Sequence, residues 1–159
     1  MNSDFRELLQ SFARHNVKYL IVGGYAVIHY SQPRYTKDLD LWIEPSAENA
    51  RAVVSAFAEF GIPLIDITEK DLATEGTQFV LGVAPVMLDF LTSVPPLSFA
   101  ECWKRRNPVP SGDDIHLYLS LDDLCIAKKH AARWQDLADM EELDRVRTNQ
   151  MNDESNDSE

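Results

Sequence analysis

The stretches Tyr19-Leu20-Ile21-Val22-Gly23-Gly24 and Arg34-Tyr35-Thr36-Lys37-Asp38-Leu39-Asp40-Leu41-Trp42-Ile43, joined by a short helical pattern, decide the fold. The first is a β-branched and aromatic run that stops at paired glycines, the pattern of a buried strand ending in a tight turn. A short helix follows over 24–30, and Ser31-Gln32-Pro33 breaks it, because proline lacks the N–H that a helix needs. In the second stretch Leu39, Leu41 and Ile43 alternate with Asp38, Asp40 and Trp42. That period of two is the signature of a strand, and it puts both aspartates on one face.

Toward the N-terminus, Phe5, Leu8, Leu9, Phe12 and Ala13 repeat at helical spacing, and Asp4 with Glu7 is placed to form a capping box. Toward the C-terminus, Ser46 is the expected N-cap of a helix with Ala50, Val53, Val54, Phe57 and Ala58 on one side and Gly61 as its stop. Residues 62–67 read as a further strand and 68–73 as a short helix. Gln78-Phe79-Val80-Leu81 and Val86-Met87-Leu88-Asp89-Phe90-Leu91 read as two strands of a hairpin with Gly82-Val83-Ala84-Pro85 as its loop. Pro95-Pro96 ends the second of them; 98–104 is expected as a short helix and 115–119 as a last strand. The most helical region is 121–147, started by Asp122 and Asp123 and broken near Arg133-Trp134.

These patterns predict a mixed α/β (α+β) domain over 1–147, a twisted mixed sheet flanked by helices with a helical C-terminal part. The end of the chain, Asn152-Asp153-Glu154-Ser155-Asn156-Asp157-Ser158-Glu159, has no apolar residue, so 148–159 is expected as a disordered acidic tail. A length of 159 residues with 45% hydrophobic content suits a single core. No apolar run approaches the roughly 18 residues of a membrane helix, and Met1-Asn2-Ser3-Asp4 does not open like a signal peptide, so a cytoplasmic location without membrane contact is expected. Cys102 and Cys125 form no CxxC pair, which points to two reduced, buried thiols. A net charge of -11 argues against broad DNA or RNA binding and leaves room only for a local basic pocket.

Chemistry concentrates on the aspartates. Asp38 and Asp40 project the same way from one strand, and carboxylates that close repel unless a cation neutralises them. Magnesium is the natural cation, since it takes oxygen ligands and commonly combines carboxylates with substrate phosphates. The bland alternative is a surface strand with alternating acids. Asp89 sits between Leu88 and Phe90 in an apolar run, either on a solvent-facing side or in a polar cleft with a partner. Three such aspartates converging would suit two metal ions about 3.5–4 Å apart, the clamp of phosphoryl and nucleotidyl transfer. Gly23-Gly24 is either a simple turn or a place where backbone N–H groups approach phosphate at a helix start. Lys128 falls on the face defined by Leu121, Leu124 and Cys125, so its amine either snorkels to the edge or reaches into a cleft. Arg133 with Asp136 fits a helix ion pair, Asp139 and Arg34 are further site candidates, and Arg34 is the one near enough to meet a phosphate. The four histidines lack metal-ligand spacing, and Trp42, Trp103 and Trp134 read as core or interface.

The order Gly23-Gly24-Tyr25-Ala26, Arg34-x-Thr36-x-Asp38-Leu39-Asp40, then Leu88-Asp89-Phe90-Leu91-Thr92-Ser93 resembles the nucleotidyltransferases of the DNA polymerase β-like superfamily, in particular the small bacterial branch that includes the AbiEii-type toxin enzymes. Leu121-x-x-Leu124-x-x-x-Lys128-x-x-x-x-Arg133-x-x-Asp136-x-x-Asp139 is also similar to that branch's C-terminal helices, so the likeness spans 19–143. The resemblance implies a polymerase β-like fold, nucleotide binding by Gly23, Gly24, Arg34, Thr36 and Lys128, and a catalytic, metal-ligating set of Asp38, Asp40 and Asp89. It implies magnesium, as two ions with manganese as substitute, and transfer of a nucleoside monophosphate from a nucleoside triphosphate to a hydroxyl of RNA such as tRNA, or of a protein. A toxin–antitoxin or phage-defence setting with a cognate toxin or antitoxin partner follows from the same likeness. Gly24 departs from the serine that many members of the superfamily carry, though glycine is usual in this branch. The rival readings are a non-catalytic binding module or antitoxin-like protein that keeps the fold, and a structural homodimer joined around Trp103.

Overall fold

The computed structural model describes residues 1–62, 64–83 and 86–157. Along the chain the elements are α1 (Ser3–Arg14), β1 (Tyr19–Val22), α2 (Gly23–Tyr30), β2 (Asp38–Ile43), α3 (Ala47–Phe60), α4 (Glu69–Leu72), β3 (Gln78–Val83), β4 (Val86–Leu91), α5 (Phe99–Lys104), β5 (Asn107–Ser111), β6 (Asp114–Tyr118), α6 (Leu121–Ala131) and α7 (Trp134–Asn156). The strands form one six-stranded sheet in the order β3-β4-β2-β1-β6-β5. It is mixed: β1–β2, β3–β4 and β5–β6 are antiparallel, while β1–β6 and β2–β4 are parallel. The architecture is therefore mixed α/β, with helices flanking a mixed sheet and a helical C-terminal end.

The alternation in β2 separates the two faces of the sheet. Leu39, Leu41 and Ile43 are fully buried, and Leu41 lies beside Phe90 of the parallel neighbour β4. Phe12 of α1 and Phe57 of α3 meet Phe90 with ring centroids 6.3 and 5.4 Å away, so both helices cover this face. Each such fully buried side chain contributes about 1.5–3 kcal/mol by transfer from water. On the opposite face Trp42 is also buried, with the ring of Phe99 from α5 edge-on at 5.2 Å. This lid covers the Trp42 end of β2 and leaves Asp38 and Asp40 half-buried farther along the same face.

Several local expectations meet a different structure. Asn2, not an Asp4–Glu7 box, caps α1: its side chain accepts from the Phe5 N–H at 3.0 Å, because the helix begins at Ser3 and Asp4 lies within the first turn. Ser46 does cap α3, accepting from the Asn49 N–H at 3.1 Å, and Gly61 ends it in the left-handed conformation, φ 84°. No strand occupies the described part of 62–67; Ile62, Leu64 and Ile67 pack on the core from a loop that leads to the Thr68–Asp71 capping box of α4. β3 runs on to pair Val83 with Val86, so the expected hairpin loop is shorter. Its Ala84-Pro85 part, Pro63, the Trp134 side chain and the Ser158-Glu159 end of the tail lie outside the described residues.

β5 was hidden from the periodicity by Pro108 and Pro110, which are tolerated because β5 is an edge strand. Gly112, at φ 62°, makes its tight turn to β6. The break after α6 falls at Ala132 and Arg133, with Ala132 in the left-handed region. α7 then continues through Asp153, Glu154 and Ser155, where composition points to a disordered tail. No glycine or proline interrupts it, and a helix whose first half is docked, as by the buried Leu143, adds a hydrogen bond for each further residue. Cys102 and Cys125 are free and buried. Among the described residues no helix is long and apolar enough to cross a membrane.

Candidate active site

The sheet register, which no local pattern reveals, places Asp40 of β2 directly beside Asp89 of β4. Parallel neighbours stand about 4.8 Å apart, so the two carboxyls share one patch of the face. Asp38 lies two residues earlier on the same side, and its Oδ1 is buried without a hydrogen-bond partner among the described residues. The three do not close into a ready cluster: among the described residues no three His, Cys, Asp or Glu side chains gather as a metal site. What the fold brings together is the Asp40–Asp89 pair, with Asp38 at its margin.

The electrostatics of the pair are costly. Burial, the contact with the Asp89 carboxyl and its charge, and the weaker repulsion of Asp38 push the Asp40 carboxyl up from 3.8 to about 7, against a lowering hydrogen bond from the Gly24 N–H. A half-buried acid driven toward its neutral form, next to an orphaned carboxylate oxygen, is an oxygen donor set short of positive charge. It fits a hard divalent cation such as Mg²⁺, whose presence would relieve both features.

The turn between β1 and α2 presses on this patch. Gly23 has φ 64°, and a Cβ there would lie 2.0 Å from Asp40 Oδ2, so neither the backbone nor the space admits a side chain. At Gly24 a Cβ would lie 2.6 Å from Thr36 Oγ1. The threonine of the Arg34–Lys37 loop thus fills the room that a serine at 24 would need. Val22 supplies no side-chain cap to α2; the Gly24 N–H instead bonds Asp40, at the edge of the space in front of Gly23.

That space is a cleft of about 460 Å³, within the range of small-molecule sites. Gly23, Gly24, Arg34, Thr36, Asp40 and Lys128 all line it. Its far wall, on α6 and α7, is an ion network. Lys128 Nζ lies 3.0 Å from Asp136 and 3.3 Å from Asp139, Arg34 Nη1 reaches Asp139 at 2.8 Å, and Arg133 Nε reaches Asp136 at 2.8 Å. Asp136 and Asp139 are nearly inaccessible, 1% and 4% exposed. Burial opposes ionisation of Asp136, yet its bonds from Arg133 and Lys128 hold its carboxyl below the usual aspartate value.

Every candidate from the sequence is thus placed, though not in equal roles. Gly23, Gly24, Arg34, Thr36 and Lys128 meet at one cleft with Asp40. Of its two alternatives Lys128 takes the second: its amine does not snorkel to the edge but lines the cleft, bonded to two buried acids. Arg133–Asp136 is the expected helix ion pair at i+3, and Asp139 is the tie between α7, Lys128 and the Arg34 loop. Sequence reasoning missed Gln78 of β3 and the small residues Ala127 and Ala131 of α6 as lining groups. Ala127 and Ala131 flank Lys128 at i−1 and i+3, and their small size was the available signal. No model of a protein family matches the chain, and no curated protein sequence matches it.

Proposed function

We propose that this chain is a minimal nucleotidyltransferase of the polymerase β-like kind, binding a nucleoside triphosphate in the 460 Å³ cleft and moving its nucleoside monophosphate to a hydroxyl acceptor, RNA such as tRNA or a protein. The observation that carries this reading is the position of Asp40, wedged between the Gly23-Gly24 turn and Asp89, with its acidity weakened to about 7. An acid of that kind gains a cation readily, and the open helix start beside it suits phosphate.

Asp38, Asp40 and Asp89 would hold magnesium. When bound, the metal supplies charge neutralisation to the triphosphate and to the developing transition state. The Gly23 N–H donates to a phosphate oxygen beside the Gly24–Asp40 hydrogen bond, and Arg34 and Lys128 present positive charge from the opposite side of the cleft. Thr36 offers a hydroxyl next to Gly24. Asp89 accepts the proton of the acceptor hydroxyl as its oxygen bonds to the α-phosphorus; the bond from that phosphorus to the bridging oxygen breaks, and pyrophosphate leaves. Asp136 and Asp139 keep Lys128 and Arg34 in place, Asp136 from the lining of the cleft itself.

The test is transfer from α-labelled nucleoside triphosphates, with magnesium, to a tRNA pool and to candidate partner proteins. The expected outcome is label on one acceptor with release of pyrophosphate, both lost in Asp38→Asn/Asp40→Asn. The pairing of the cleft's cations Arg34 and Lys128 with Asp139 and Asp136 favours a second reading, a non-catalytic binding module with this fold. That reading predicts that a cellular effect of the chain survives Asp38→Ala/Asp40→Ala.

A further inference from the structure

The two edges of the sheet are built differently. β5 carries Pro108 and Pro110, and a proline offers no N–H to an added strand. β3 at the other edge reads Gln78-Phe79-Val80-Leu81-Gly82-Val83, without a charge and without a proline. Among the described residues β4 is its sole strand neighbour, and no loop backbone bonds to it. Val80 is 54% exposed, and Gln78 and Gly82 on the same side are exposed as well. Natural edges of this length are ordinarily blunted by charge, proline or cover. β5 is blunted and β3 is not.

We propose that β3 pairs antiparallel with β3 of a second copy of this chain, joining two sheets edge to edge. A two-fold axis perpendicular to the sheet keeps the same faces together, so residues pair with equal parity: Val80 meets Val80 of the copy, and Gln78 meets its Gly82. The exposed Val80 side chains then cover one another at the axis. A second copy fits this edge because it brings an equally uncharged, unblunted strand; the repulsion to be overcome is that of two bodies of net charge -11, with Asp89 of each β4 beside Val80. Salt therefore tightens the pairing, by screening that repulsion without weakening backbone hydrogen bonds. Since Gln78 lines the cleft, the added strand also extends the cleft's floor by one strand spacing, about 4.8 Å.

Sedimentation velocity of the full chain over a roughly hundredfold concentration range, at low and high salt, tests this without any nucleotide, so it stands or falls apart from the proposed catalysis. A monomer–dimer equilibrium that tightens with salt is expected. Val80→Glu places two carboxylates opposite each other at the axis, next to Asp89 of each copy, and weakens the dimer by roughly tenfold or more at low salt, whereas Val80→Thr keeps the β-branched shape and the dimer. A monomer at every concentration overturns the proposal, as does a dimer that Val80→Glu leaves intact. Should Val80→Glu fail to fold by circular dichroism, amide hydrogen exchange of the wild type decides: slower exchange at 78–82 in the concentrated sample supports the pairing, and unchanged exchange there contradicts it.

Discussion

The sheet wall and the helix wall of the cleft differ in how their charges are satisfied. On the helix wall, Lys128, Arg34 and Arg133 are interlocked with Asp136 and Asp139. On the sheet wall, Asp40 lines the cleft and is driven toward its neutral form, while Asp89 beside it and Asp38 with its orphaned oxygen stand outside the cleft's described lining. A network of paired charges holds elements together; a cluster of like charges costs stability until a ligand of opposite sign arrives. The first wall is framework that also presents cations, and the second is where the proposed chemistry falls.

The largest effect should come from breaking the framework. Lys128→Ala removes the cation shared by two buried carboxylates, and the loss in unfolding free energy should be about 3–5 kcal/mol, read by chemical denaturation. A loss below about 1 kcal/mol would place Lys128 among solvated surface pairs instead.

The opposite sign is expected on the sheet wall. Because the folded-state value of Asp40 lies above the ordinary 3.8, the native state holds the extra proton between there and about 7. Stability from this group is full below the ordinary value and falls as pH rises to about 7, beyond which the cost is constant. Metal-free Asp40→Asn should therefore match the wild type near pH 4 and exceed it at pH 8, by at most about 4 kcal/mol at about 1.4 kcal/mol per tenfold change in proton affinity. Thermal unfolding across that range checks both the direction and the window.

A smaller effect is expected at the turn. Gly23→Ala adds left-handed strain and a collision with Asp40 Oδ2, for a loss of about 1–3 kcal/mol by denaturation. The smallest belongs to Arg133→Ala. Its side chain is 79% exposed, so the pair with Asp136 contributes at most about 1 kcal/mol even though its distance matches that of buried neighbours. Equal losses for Arg133→Ala and Lys128→Ala would erase the distinction between rim and interior of that wall.

How much of this was legible depended on how local the signal was. The alternation of Asp38-Leu39-Asp40-Leu41 and the glycine stop after Val22 are short-range patterns, and they found β1, α2, β2 and the shared face of two aspartates. The pairing of Asp40 with Asp89 depends on the register of strands distant in sequence, so the apolar run by itself marked Asp89 only as an anomaly, and its grouping with Asp38 and Asp40 as metal ligands came from the family resemblance. β5 was obscured because prolines read as breakers unless the strand is known to be an edge. Lys128 was noticed as misplaced on an apolar helix face, but its partners come from α7 across a break whose geometry, Ala132 in the left-handed region, no periodicity specifies.

The most direct measurement of the central claim is calorimetric titration of each of the four nucleoside triphosphates, with and without Mg²⁺, into the wild type and Asp38→Asn/Asp40→Asn. The account predicts binding of at least one nucleotide that requires Mg²⁺ and disappears in the variant. Binding that is indifferent to Mg²⁺ and to the substitutions, or no binding of any nucleotide, would contradict it.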